Sequence, residues 1–319
     1  MRFAPVLFAL VAAEATATDD FAYVRAMPAE AKVVVVDTRA LSDCREKSLA
    51  GARCLPAADF LGPQRRLPDA RNLLWLLGTA GLAGDEHVLV VGGDVVARDF
   101  VAGLLHVAGQ RRVDVLTEPV ARLLDAGAAA APGRERASIR EAVYGAPMRD
   151  ELIVLRSELV AARPWPAVLD GRSEGEYWGE IARVERTGHL PGAISLPAQT
   201  LRAALDSRSA RPLLPAPSAD APVAYAHDAY EGFAYLALLA AGHGVNARLY
   251  AEGWAEWSSD GALPADAVGY RDTAPIPVAA EAAPATGGAI RLEPALAAAL
   301  VFAVAAFVLG RWSTHRRRA

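Results

Sequence analysis

The stretch Ala226-His227-Asp228-Ala229-Tyr230-Glu231-Gly232 is where residue types and spacing bear most directly on chemistry. It follows the apolar run Val223-Ala224-Tyr225 and precedes an apolar, helix-like stretch over residues 233–241. A strand that turns sharply into a helix leaves backbone N–H groups free at the helix start, a cradle for an anion. Covalent chemistry at such a place calls for a nucleophile at the first loop position, where a cysteine thiolate would be stabilised. Ala226 stands there instead. Asp228 and Glu231 add two carboxylates, each expected to repel a nearby anion by about 1 kcal/mol or more at intermediate dielectric. His227 with Asp228 and Glu231 could hold a cation; the competing reading is a solvated polar loop.

The remaining candidates are few. The only thiols are Cys44 and Cys54, and no pair of the six histidines has zinc-site spacing, so neither a metal nor another cofactor is expected. Asp37 with Arg39, and Asp170 with Arg172, read as charges that stabilise the fold. His189 reads as structural, bonding backbone at a turn, and Trp254 and Trp257 as core. The net charge is −4, so the chain as a whole offers no basic surface to nucleic acid.

The elements that must position these residues are those of an α/β layer. Val33-Val34-Val35-Val36, Val88-Leu89-Val90-Val91 and Val113-Asp114-Val115-Leu116 read as buried strands of a parallel sheet. Helical patterns over 73–77 and 99–108 alternate with them, as parallel crossovers require. Residues 20–32 are expected to begin with a helix. The second half repeats the first: Val168-Leu169-Asp170-Gly171-Arg172 matches Val35-Val36-Asp37-Thr38-Arg39, and Gly192-Ala193 before Leu196-Pro197 matches Gly51-Ala52 before Leu55-Pro56. A repeat of about 130 residues is a duplicated domain, not a solenoid. Between the halves lies a Gly-, Ala-, Pro- and Arg-rich linker, mobile or wrapped over the surface.

Both ends carry membrane signals. Residues 1–17 have a charged start, an apolar run and the small-x-small site Ala15-Thr16-Ala17, the pattern of an export signal. Residues 295–310 are apolar and uncharged, followed by Arg311, Trp312 and the cluster Arg316-Arg317-Arg318. Such a helix reaches roughly 24 Å, so the flanking Trp312 and Arg311 must help it span. The trailing arginines place the C-terminus in the cytoplasm and the bulk of the protein outside.

The second half resembles the rhodanese (thiosulfate sulfurtransferase) family. The matching stretches are Asp170-x-Arg172, Glu176-Tyr177-Trp178-Gly179-Glu180, GHLPGAISLP at 188–197 and LYAEGWAEWSSDGALP at 249–264. The last is similar to the two-domain rhodaneses in particular. The first half matches more weakly, through Asp37, Arg39, Gly51-Ala52 and Pro56, with Gly93 where a nucleophile would be expected. The resemblance implies a cysteine at the second cradle that takes a sulfane sulfur from a donor and passes it on. It aligns that cysteine with Ala226, and the family's usual glycine with Ala229. In an exported protein two nearby cysteines form a disulfide more often than not; buried free thiols, or a redox or sulfur-transfer role, are the alternatives for Cys44 and Cys54.

The expectation is therefore two tandem rhodanese-like α/β domains, each a parallel sheet flanked by helices, plus one C-terminal transmembrane helix. The boundaries are a signal peptide over 1–17, domain 1 over 18–126, a linker over 127–149 and domain 2 over 150–265. A flexible stalk over 266–291, a spanning helix over 292–312 and a basic cytoplasmic tail over 313–319 follow. The protein is expected on the periplasmic face of the inner membrane, with the lipid bilayer and a membrane-associated protein as partners. It is expected to act by binding; the alternative is sulfur transfer through Cys44, Cys54 or a partner's thiol.

Overall fold

The computed structural model describes residues 20–29, 32–162, 164–205, 214 and 220–267, and the short strand Ile276–Pro277. The expected leader, most of the expected stalk, and the expected spanning helix and basic tail lie outside the described residues. Among the described residues no helix is long and apolar enough to cross a membrane.

The first half runs β1 (Phe21–Val24), β2 (Val33–Asp37), α1 (Leu41–Glu46), β3 (Ser48–Leu49), β4 (Arg53–Cys54), α2 (Ala70–Thr79), β5 (His87–Val91), α3 (Val95–Val107), β6 (Arg112–Leu116), α4 (Val120–Asp125), β7 (Ala130–Ala131) and β8 (Arg134–Glu135). Six strands form one parallel sheet in the order β1-β6-β5-β2-β4-β8. Its central strand β5 is buried at every position, as a sheet covered on both faces demands.

The second half runs α5 (Arg156–Ala161), β9 (Val168–Asp170), α6 (Glu174–Tyr177), β10 (Ile181–Ala182), β11 (Ile194–Ser195), α7 (Ala198–Ala203), β12 (Val223–Tyr225), α8 (Ala229–Ala237), β13 (Arg248–Leu249), α9 (Gly253–Ser259) and β14 (Ile276–Pro277). Its parallel sheet has the order β11-β9-β12-β13. Ile153 bridges Leu249 in parallel, taking beside β13 the place β1 holds beside β6. The orders β6-β5-β2-β4 and β13-β12-β9-β11 correspond, while β8 at the edge of the first sheet has no counterpart among the described residues.

Two expectations are overturned and one open alternative is decided, each for a physical reason. Residues 21–24 form an edge strand, not a helix, because they pair with β6 and stack Phe21 on His106 at 4.4 Å; tertiary pairing overrides local pattern. The segment between the halves is wrapped over the first sheet: β7 pairs with β3, β8 with β4, and Gly145 donates to the Ala83 carbonyl. Asp266, placed in the stalk by the sequence, exchanges backbone hydrogen bonds with His189 at 2.8 and 2.9 Å, so the ordered unit extends past it.

The two sheets belong to one compact unit that ends at Pro277. The helices that follow the two central strands, α3 and α8, pack directly on each other. Phe100 of α3 meets Tyr230 at 4.9 Å and Phe233 at 6.4 Å. Asp99 is fully buried at this junction and accepts from Arg98 at 2.9 Å and from Arg202 of the other half at 2.8 Å. The closest approach is at Gly103, where a Cβ would lie 2.2 Å from the Phe233 carbonyl oxygen.

That contact gives a prediction with a distinctive sign. Gly→Ala in an unencumbered helix stabilises by about 1 kcal/mol; Gly103→Ala is expected to destabilise by about 1–3 kcal/mol because backbone must shift. A calorimetric melting temperature equal to or above wild type would refute the assigned packing.

Candidate functional site

The loop expected from the sequence is present. β12 ends at Tyr225, Ala226 follows with 2% of its surface exposed, and α8 begins at Ala229. The start of α9 holds this loop from behind: Trp254 and Ala255 donate N–H bonds to the carbonyls of Ala226 and His227 at 2.9 and 2.8 Å. Gly253 makes that possible, with φ +60° and no room for a Cβ, which would lie 2.4 Å from the Ala226 oxygen.

The helix start is not an open anion cradle. Asp228 is the N-cap of α8, and its Oδ1 accepts the Glu231 N–H at 3.1 Å. The same carboxylate pairs through Oδ2 with Arg65 at 3.3 Å, and Glu231 pairs with Arg183 at 2.7 Å. The two carboxylates expected to repel an anion are both matched by arginines, and one helix-start N–H, that of Glu231, is taken by the Asp228 side chain. Arg65 reaches over from the first half in a left-handed conformation, φ 57°. Its guanidinium lies 4.2 Å from the Tyr230 ring centroid, a cation–π contact.

His227 is buried, and its Nδ1 lies 3.8 Å from Glu176 Oε1, with no hydrogen-bond partner among the described residues. Burial first, then the positive Arg183, lowers its pKa to about 4, so the ring is neutral near pH 7. No group of three His, Cys, Asp or Glu among the described residues is placed to hold a metal ion.

In front of Ala226 lies a cavity of about 380 Å³ walled by both halves. Arg65, Asp94 and Val96 line it from the first half; Arg172, Glu176, Arg202, Tyr230, Glu231 and Ala234 line it from the second. Its charges are engaged with neighbours: Arg172 with Asp170, Arg202 with Asp99, Arg183 with both Glu176 and Glu231, and Asp94 with the Ala97 N–H.

The two Asp-x-Arg motifs are the fixed points behind the loops. Arg172 grips Asp170 through Nε–Oδ1 at 3.0 Å and Nη2–Oδ2 at 2.6 Å, and donates to the Gly188 carbonyl at 2.8 Å. The Tyr225 hydroxyl donates to Asp170 and accepts from the Leu190 N–H at 3.2 Å. Burial, then the charge of Asp170, pushes the Tyr225 phenol well above its ordinary range. Arg39 and Asp37 repeat the pairing at 3.1 and 2.7 Å, with Ser48 donating to Asp37 at 2.6 Å. His189 bonds the Tyr177 carbonyl through Nδ1 at 2.9 Å and stacks on the Tyr177 ring.

In the first half, β5 ends at Val91, and Asp94 caps α3 as Asp228 caps α8. The residue matching Ala226 is therefore Gly92, one position before the Gly93 expected from sequence. A Cβ there would lie 2.5 Å from Thr38 Oγ1. Cys44 and Cys54 are bonded to each other and buried. Gly133 crosses over them with its N–H on the Cys44 carbonyl at 2.8 Å.

Sequence reasoning missed Arg65, Arg183, Arg202 and Tyr225. The three arginines carry no local signal, because long-range folding brings them in. Tyr225 had one: a phenol on a buried strand beside the loop needs a partner.

Residues 155–260 match the family model of the rhodanese-like domain. No curated protein matches the chain. Among solved structures, a probable thiosulfate sulfurtransferase is 24% identical, with a TM-score of 0.57 over 75% of this chain and 100% of its own. YnjE is 18% identical, with a TM-score of 0.58 over 75% of this chain and 63% of its own. EanB is 19% identical, with a TM-score of 0.57 over 76% of this chain and 65% of its own. Residues 155–260 are thus similar to the rhodanese-like domain, and about three quarters of the chain shares the fold of these proteins.

The lowered pKa of His227 predicts an acid-linked loss of stability. Unfolded histidine takes up a proton near pH 6.5, whereas folded His227 does so only near pH 4. Between these values the unfolded state binds more protons, so stability falls as pH falls. His106, also lowered to about 4 by burial and Arg149, adds to the slope; Glu231, raised by burial against Arg183, opposes it. His227→Asn is expected to lose less stability than wild type between pH 6.5 and 4.5 in urea unfolding. Identical slopes would rule out His227 as a contributor.

Proposed function

We propose that this chain is a tandem rhodanese-like protein that has lost persulfide chemistry and acts by binding. We further propose that it is exported and held at the periplasmic face of the inner membrane by its C-terminal apolar segment. The observation that carries the reading is a methyl group, that of Ala226, where the strand-to-helix loop would present a sulfur nucleophile. Supporting it, EanB has been solved with a cysteine persulfide and ergothioneine, whereas neither cysteine of this chain is free. Sulfur transfer through Cys44 or Cys54 requires a thiol that the disulfide removes. The same bond supports an oxidising compartment, as expected for an exported chain, and the partners this reading implies are the lipid bilayer and a protein near it.

What the site retains suits recognition. The cavity in front of Ala226 is bounded by both halves, and its charges are compensated. It therefore favours an uncharged or internally neutral ligand over a bare anion such as thiosulfate, whose desolvation no free cation would offset.

The test is a thiosulfate:cyanide assay on the detergent-solubilised full chain. Wild type is expected to show no turnover. Ala226→Cys alone is expected to remain inactive, because Asp228 still occupies the helix-start N–H. Adding Asp228→Gly and Ala229→Gly is expected to yield measurable transfer. Turnover by wild type, or an additional sulfur found by mass spectrometry on the native protein, would overturn the reading.

A further inference from the structure

Trp75 stands on the solvent face of α2 with 43% of its surface exposed, while Leu73, Leu76 and Leu77 turn the rest of the helix inward. Open grooves of about 750 and 650 Å³ lie on its two sides, and both are lined by Asn72 and Trp75. Phe60, Leu61, Pro63 and Leu67 line one; Leu74 and Tyr144 line the other. The half-exposed Trp75 thus stands between a largely apolar groove and one of mixed polarity.

The wrapped segment extends this surface. Glu141 and Ala142 donate N–H bonds to the Gly78 carbonyl at 3.0 and 3.2 Å. Gly78 permits the approach, since a Cβ there would lie 2.5 Å from the Ala142 oxygen. Docked this way, the segment brings Arg140 and Tyr144 to the groove beside Trp75. It also leaves their neighbours Ile139 and Val143 73% and 69% exposed.

The charge on this face is unbalanced. Arg136 is matched by Asp59 at 2.6 Å, and Asp69 caps α2, accepting the Asn72 N–H at 2.8 Å while keeping its negative charge. Arg71 and Arg140 line one groove against the single carboxylate of Asp69, and Arg66 lines the other, where its charge also acts on Glu252. This local positive surplus stands on a chain of net charge −4.

We propose that this face docks an acidic segment of a partner protein carrying an aromatic or branched apolar side chain. The apolar side chain fills a groove beside Trp75, and carboxylates meet Arg71 and Arg140. Two concave grooves fit a chain segment better than a flat bilayer surface. The proposal is independent of the loop at Ala226.

The full chain in detergent micelles is panned against a displayed library of random peptides, and the selected peptides are synthesised and titrated by fluorescence anisotropy at low and high salt. The expected peptides combine a surplus of Asp and Glu with an aromatic or branched apolar residue and bind more weakly as salt rises. Their affinity is expected to fall about tenfold or more in Trp75→Ala and in Arg71→Glu/Arg140→Glu. Arg71→Gln/Arg140→Gln serves in place of the charge reversal if that variant melts below wild type. The proposal is overturned by a library that enriches nothing, by peptides without acidic bias, or by affinities unchanged in both variants. It is equally overturned if phosphatidylglycerol vesicles bind through Trp75 while the selected peptides fail to compete with them.

Discussion

The buried Asp170–Arg172 pair is the interaction on which the second half's architecture rests. Two charges taken out of water are costly, and their mutual attraction offsets the cost only when the remaining donors and acceptors are also satisfied. Here they are, by the Tyr225 hydroxyl, the Arg172 N–H and the Gly188 carbonyl. Burial disfavours the Arg172 charge, but the hydrogen bond and charge of Asp170 outweigh it and raise its pKa. Losing either partner would leave the other charged and buried, a penalty of about 3–5 kcal/mol. The pair ties the end of β9, the turn at 188–190 and the last residue of β12 into one knot. Ala226 is the next residue after that knot, so the loop's position is set by Asp170 and Arg172, whichever residue occupies 226.

With the scaffold fixed in this way, the strand-to-helix loop holds its place whatever side chain stands at 226. An open helix start attracts an anion because its N–H groups lack partners. In this chain Asp228 supplies one internally and Arg65 neutralises the carboxylate that does so. Arg183 likewise neutralises Glu231 in the first turn of α8. The loop has become electrostatically self-contained. The corresponding loop of the first half is closed by another route, with Gly92 against Thr38 and Asp94 capping α3.

The strands, the repeat and the cradle loop were legible because each is local: β-branched runs, Asp-x-Arg after a strand, and an abrupt switch from strand to helix pattern. The cap at Asp228 could have been read too, since Asp three residues before Glu at a helix start is an N-cap signature. What the chain order hides is everything that meets at a distance. Residues 21–24 look helical until β6 is beside them. Arg65 is an unremarkable arginine in a run of two until a left-handed turn aims it at Tyr230 and Asp228. Glu231 reads as a free negative charge until Arg183, on another segment, is placed against it.

The junction of the halves decides what kind of binding site the cavity can be. Sites between domains commonly open and close, because such interfaces are small and polar. Here α3 and α8 cross at Gly103 in backbone contact, Phe100 packs against Tyr230 and Phe233, and Asp99 joins arginines from both sides. A single core cluster runs through from Val88 and Phe100 to Phe233 and Leu249. Hinge motion would have to break that core, so the walls of the cavity are held at fixed separation. Tyr230 belongs to the cavity wall and to this core at once, and so carries the rigidity of the junction to the site. A rigid cavity whose arginines are already paired gains affinity by preorganisation rather than closure.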